Sequence, residues 1–140
     1  MKYRILLLST LFFALVVANP IQAQNNLEAS QNYVVLTKKV PQLQPILLAA
    51  EELKKENGKN FGSFEVIICG QLIGDITDPA KIDPFIEKAE RLGVTIVACG
   101  FSLNKFKVDR EAVPKALKIV ENGILYNLQL QQKGYLSLSL

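Results

Sequence analysis

Two thiols, Cys69 and Cys99, are the only cysteines in the 140-residue chain, which contains no histidine. Each closes an apolar, β-branched run and is followed at once by glycine, in Phe64 to Gly70 and in Val94 to Gly100. Runs of this kind read as buried strands, and the carboxyl ends of parallel strands are where open α/β sheets collect their chemistry. A thiolate is the form of cysteine that attacks a disulfide or persulfide. After Cys99 the sequence turns into a short helical stretch, Ser102 to Phe106, whose free N–H groups favour negative charge on the sulfur. Ser102 can donate a hydrogen bond, and Lys105 and Lys107 add positive charge. Cys99 is therefore the expected sulfur acceptor, with Gly100, Ser102, Lys105, Cys69 and Gly70 as its binding surroundings. The alternative is a packing role, because free cysteine is among the most often buried residue types.

Absences narrow the chemistry. Without histidine there is no serine-histidine or cysteine-histidine catalysis within the chain and no imidazole metal ligand. Two thiols are too few for a zinc site or a disulfide scaffold, and no Cys-x-x-Cys pair marks a thiol-disulfide enzyme. A bond between Cys69 and Cys99 would require neighbouring strands, with Cα atoms within about 7 Å, and strand order is open at this point. Gly70-Gln71-Leu72-Ile73-Gly74 lacks the third glycine of a dinucleotide turn and the lysine of a phosphate loop. Asp75, Asp78 and Asp83 do not match a calcium loop, and two of them precede proline, which suits turns and helix caps. Neither a cofactor nor a metal is expected.

Composition sets the compartment and the size of the domain. Lys2 and Arg4, the apolar run Ile5 to Ala18, and Pro20 followed by Ile21-Gln22-Ala23 have the form of a cleavable export signal over residues 1–23. The alternative, a membrane anchor, needs roughly 20 apolar residues. Export to the periplasm or extracellular space is the expectation, with no membrane association after signal removal. Loss of Lys2 and Arg4 takes the formal charge from +3 to +1. A surface so close to neutral offers nothing to nucleic acid. Residues 24–31 read as a polar lead-in and 32–140 as one domain.

Within that domain strands and helices alternate. Tyr33 to Thr37 reads as the first strand. The helix that follows opens at Val40-Pro41 and carries Leu43, Leu47, Ala50 and Leu53 inward. Its extra apolar residues, Ile46, Leu48 and Ala49, suit either a broad core face or a second subunit. Gln71 to Ala80 reads as a loop, and Asp83-Pro84 as the start of the next helix, with Phe85, Ile86, Ala89 and Leu92 inward and Gly93 as its stop. A strand at Leu117 to Val120 leads to a helix capped by Asn122, with Ile124, Leu125 and Leu128 inward. Tyr135 to Leu140 closes the chain as a strand, with Leu136, Leu138 and Leu140 on one face. The order predicts a three-layer α/β/α sandwich on a mainly parallel five-stranded sheet.

From Gly93 to Tyr135 the chain resembles the C-terminal half of DsrE/DsrF-like proteins. The likeness rests on Ala98-Cys99-Gly100, Leu103, Arg110-Glu111, Val120, Asn122-Gly123 and Gly134-Tyr135, and the earlier strand with Gly70 also fits. It implies a compact α/β sandwich that forms trimers or hexamers, in a family whose best understood members relay sulfur as a cysteine persulfide between donor and acceptor proteins. On this chain Cys99 is the matching cysteine. Sulfur-carrying members place their acceptor cysteine on the helix before this strand, and here Pro84 to Leu92 has none. Phe101 stands where many relatives have a polar residue. The expected export signal separates the chain from cytoplasmic sulfur relays, and together with the resemblance it gives the expectation of an exported, oligomeric sulfur carrier more than an enzyme with turnover. The competing expectation is a non-catalytic binding or assembly module with Cys99 as packing.

Overall fold

A computed structural model describes residues 30–140. The expected export signal and most of the polar lead-in fall outside the described residues. Five strands alternate with helices: β1 (Gln31–Thr37), α1 (Leu43–Asn57), β2 (Phe61–Ile68), α2 (Pro79–Leu92), β3 (Val94–Cys99), α3 (Gly100–Lys105), β4 (Lys118–Val120), α4 (Gly123–Gln132) and β5 (Leu136–Ser139). All pairings are parallel, in the order β4-β3-β2-β1-β5. Helices cover both faces, as the alternating pattern predicts. Three successive crossovers step the chain from β1 to β4, and the last returns it past three strands to pair β5 with β1.

Parallel pairing in register fixes which side chains share a face, because successive residues alternate sides. Val66 is paired with Val35 and Ile96, and all three are buried on the face that carries α1 and α2. Leu43, Leu47, Ala50 and Ile82 close that layer from the helical side and are inaccessible to solvent. Of the three extra apolar residues of α1, Ile46 is buried in the same layer, while Leu48 and Ala49 remain exposed. The opposite face carries Glu65, Ile67, Cys69, Val97 and Cys99 beneath α4.

Two local expectations are corrected. Helix α2 begins at Pro79 and not at Pro84: the Asp78 side chain accepts from Ala80 N–H at 3.1 Å, and its carbonyl accepts from Lys81 and Ile82. Asp78-Pro79 offers the same cap-plus-proline chemistry as Asp83-Pro84, five residues earlier. It wins because the earlier start puts Ile82 into the core. Pro84 then lies inside the helix and withholds one backbone donor on its exposed side. The segment before it is a run of 3-10 turns, Gln71–Thr77, that buries Ile73 and Ile76.

Helix α4 is turned relative to the expected phase. Its inward residues are Gly123, Asn127 and Leu130, with Tyr126 half-buried, while Ile124, Leu125 and Leu128 face outward, each more than half exposed. Three anchors set this phase. Gly123 packs on the cysteines; the Tyr126 hydroxyl bonds the buried Glu65 carboxylate at 2.8 Å; and Asn127 Oδ1 accepts from Ser137 at 2.9 Å. Polar anchoring to the sheet overrides apolar periodicity here. Among the described residues no helix is long and apolar enough to cross a membrane.

Candidate functional site

At the carboxyl edge of the sheet, β2 and β3 run in register to the pair Ile68 and Ala98. The next residue on each strand is a cysteine. Cys69 and Cys99 therefore stand side by side and point to the same face, and both are free thiols. They are 8% and 2% exposed. Above them sits Gly123, the first residue of α4. A methyl group there would come within 2.5 Å of Cys69 Sγ and 3.1 Å of Cys99 Cβ, so glycine is the residue that lets the helix start settle onto both sulfurs.

That contact supplies charge as well as shape. Gly123 N–H donates to Cys99 Sγ at 3.3 Å, and Asn122 caps the same turn by accepting from Ile124 and Leu125 N–H at 3.0 and 3.1 Å. The sulfur thus occupies the positive end of a ten-residue helix. The helix expected to act on Cys99, α3, starts at Gly100 rather than near Ser102, so Cys99 is its cap residue; Ser102 N–H leans toward the sulfur without making a full capping bond. Ser102 is buried and its Oγ accepts from Gly70 N–H at 2.9 Å, leaving its proton to donate to Cys99. Gly70 can turn its N–H that way because it adopts φ +103°, a backbone open to glycine.

The two thiols diverge in acidity. For Cys99 the largest single influence is burial, which raises its pKa. The Ser102 hydroxyl, Gly123 N–H, Ser102 N–H and the Cys69 thiol together outweigh it, and the pKa falls below the ordinary 9.0. Cys69 is pushed up to about 12, first by burial and then by Cys99 beside it. The shifts are opposite in sign, so Cys99 is the more readily ionised of the pair and Cys69 the one that holds its proton.

A cavity of about 430 Å³ opens over this pair. Cys69, Gly70, Cys99, Ser102 and Lys105 line it as expected, joined by Leu36, Lys38, Phe101, Phe106, Asn122 and Ile124. Gly100 lies just behind, buried against Arg110 and the Val120 carbonyl, and supports the site without facing the cavity. Its lysines are Lys38 and Lys105; Lys107, the other expected cation, sits past the end of α3 with φ +56° and does not line the cavity. Lys38 escaped notice because it follows β1, and only the strand order brings that strand end to β2. Gly123 was visible only as a helix start, and the signal for its role was Asn122-Gly123 directly after a strand.

Arg110 ties the rear of the site together. Its guanidinium makes two bonds of 2.9 Å to Glu121, and Phe101 N–H donates to the Glu121 carbonyl at 2.8 Å. The turn after α3 is thereby joined to the residue that precedes Asn122. The three expected acidic residues serve structure: Asp75 accepts from Lys81 at 2.6 Å and Asp78 caps α2, while Asp83 lies exposed within that helix. Among the described residues no three His, Cys, Asp or Glu side chains cluster as metal ligands would.

No protein-family profile matches the sequence, and no curated protein matches it. The fold is similar to that of a protein of unknown function from Bacteroides thetaiotaomicron, with a TM-score of 0.63 and 17% identity over 83% of this chain and 100% of that one. It is also similar to a protein of unknown function from Methanobacterium thermoautotrophicum, with a TM-score of 0.64 and 13% identity over 78% of this chain and 100% of that one. At such identities what is shared is the fold.

Proposed function

We propose that the protein binds and carries sulfur as a persulfide on Cys99, as an exported relative of the DsrE-like proteins. The observation that carries this reading is the environment of one sulfur: Cys99 Sγ accepts Gly123 N–H at the start of α4 and lies beside Ser102 under an open cavity. A thiolate held this way attacks the outer sulfur of a persulfide, RS–SH, forming Cys99–S–SH and releasing RS⁻. Helix dipole and N–H donors then stabilise the new terminal sulfur as an anion. The apolar lining of Phe101, Phe106, Leu36 and Ile124 suits a sulfane sulfur, and Lys38 and Lys105 favour a donor that carries negative charge. No group positioned for turnover of a second substrate is required, so the role is carriage.

Cyanolysis tests this reading. Cys69→Ser protein, in which Cys99 is the one thiol, should yield about one thiocyanate per chain on treatment with cyanide after loading with an organic persulfide and desalting, and the double variant that also lacks Cys99 should yield none. Equal yields from both proteins would end the proposal.

A second reading, assembly, is favoured by a separate observation. On the α1 face of the sheet, Leu136, Leu138 and Leu140 are 57%, 56% and 44% exposed, and grooves between β5 and α1 are lined by Pro45, Ala49, Leu138 and Leu140. With Leu48 this forms an apolar surface along an edge strand, a feature that marks protein contacts. A homo-oligomer, trimer or hexamer, that covers it is compatible with sulfur carriage at the opposite face.

A further inference from the structure

We propose that Cys69 is a resolving thiol that discharges the Cys99 persulfide as hydrogen sulfide, so that the site reduces sulfane sulfur as well as holding it. This deepens the carrier reading and rests on it.

Placement carries the argument. The two cysteines follow the paired residues Ile68 and Ala98 on adjacent parallel strands. Neighbouring strands lie about 4.8 Å apart, inside the range of roughly 4.4–6.8 Å between Cα atoms that a disulfide spans. Their side chains share one face. The missing side chain at Gly123 leaves room over both cysteines, for a methyl group there would lie 2.5 Å from Cys69 Sγ and 3.1 Å from Cys99 Cβ. Packing alone does not ask for this arrangement. Valine or alanine would fill the end of β2 without setting a second sulfur against the first.

The step balances with the persulfide as oxidant. Cys69 sulfur attacks Cys99 Sγ and a bond forms between them. The bond from Cys99 Sγ to the outer sulfur breaks, and its electron pair leaves with that sulfur. The proton of Cys69 goes to the departing hydrosulfide, giving hydrogen sulfide. Cys69 is oxidised and the outer sulfur is reduced by the same count. An external thiol returns the disulfide to two thiols by exchange. Burial and the neighbouring Cys99 push the Cys69 pKa up to about 12, so Cys69 still carries the proton that the departing sulfur takes.

The experiment uses wild type, Cys69→Ser and Cys69→Ala, each loaded with an organic persulfide and desalted. Released sulfide is followed over time, together with intact mass under non-reducing conditions. The expected result is that wild type gives off sulfide and ends two hydrogens lighter than the starting thiol form, reversibly with a reducing thiol. Both variants should retain one added sulfur atom at least tenfold longer. Wild type that keeps its added sulfur as long as the variants, with no disulfide formed, would overturn resolution and leave carriage standing. Variants that fold, by circular dichroism, yet take up no sulfur would overturn carriage and resolution together.

Discussion

Cys99 is made acidic by neighbours drawn from three strand ends, and the size of each contribution is open to test. Ser102→Ala removes a donor to the sulfur and an acceptor for Gly70 N–H. The Cys99 pKa should rise and its thiolate fraction fall. Iodoacetamide labelling of the native protein at pH 7 should slow relative to wild type. In wild type the labelling rate should rise with an inflection below 9.0, the ordinary thiol value. The paired thiols also give stability a pH dependence of opposite signs. The folded pKa of Cys99 is depressed, so its contribution is present above the unfolded value and lost as pH falls through the folded one. That of Cys69 is raised, so its contribution is present below 9.0 and lost as pH climbs toward about 12. Alkaline titration of unfolding free energy should therefore fall less steeply between those values in Cys69→Ala than in wild type. Cys99, Ser102, Gly70 and Lys105 were legible as site residues because each lies close in sequence to one of the two cysteines at the ends of β2 and β3. Lys38 and Gly123 were not, since only the order of strands brings them near.

At the scale of elements, the start of α4 is what turns a buried cysteine into a site. Gly123→Ala drives a methyl group within 2.8 Å of Ile67 Cγ2 and against both cysteines. Overpacking of this kind costs about 1–3 kcal/mol, and lifting the helix also withdraws the N–H from Cys99. The variant should show lower stability in urea and slower labelling of Cys99 together. Asn122→Ala should cost about 0.5–2 kcal/mol through the lost cap, with a smaller effect on labelling because Gly123 keeps its packing. Sequence periodicity misplaced the buried face of this helix. Ile124, Leu125 and Leu128 look like a core stripe, yet Glu65, Ser137 and the cysteines each require a partner from α4, and Tyr126, Asn127 and Gly123 provide them. Polar requirements of the sheet are invisible until the strands are placed. The same holds for α2, where two Asp-Pro pairs compete and burial of Ile82 decides.

For the whole molecule, the sheet separates the thiol cavity from the exposed leucines of β5, the surface proposed for assembly. The thiols and their cavity lie toward α4, while the exposed leucines of β5 adjoin α1 on the other side. Leu138→Glu should shift the protein to smaller species in size-exclusion chromatography with multi-angle light scattering, and Cys99 labelling should be unchanged. A wild type that stays monomeric at every concentration would contradict assembly. Alternating strands and helices made the sandwich architecture readable from the sequence, whereas the return of β5 to the β1 edge was not, because a four-residue strand carries no information about its partner. The central claim, that Cys99 accepts sulfane sulfur, is tested most directly by intact mass with peptide mapping. The measurement is made on Cys69→Ser exposed to an organic persulfide, beside the double variant that also lacks Cys99. The account predicts a gain of one sulfur atom located on Cys99 and none in the double variant. Cys99 that gains no sulfur and reacts only after denaturation would contradict it and leave a packing cysteine in an assembly module.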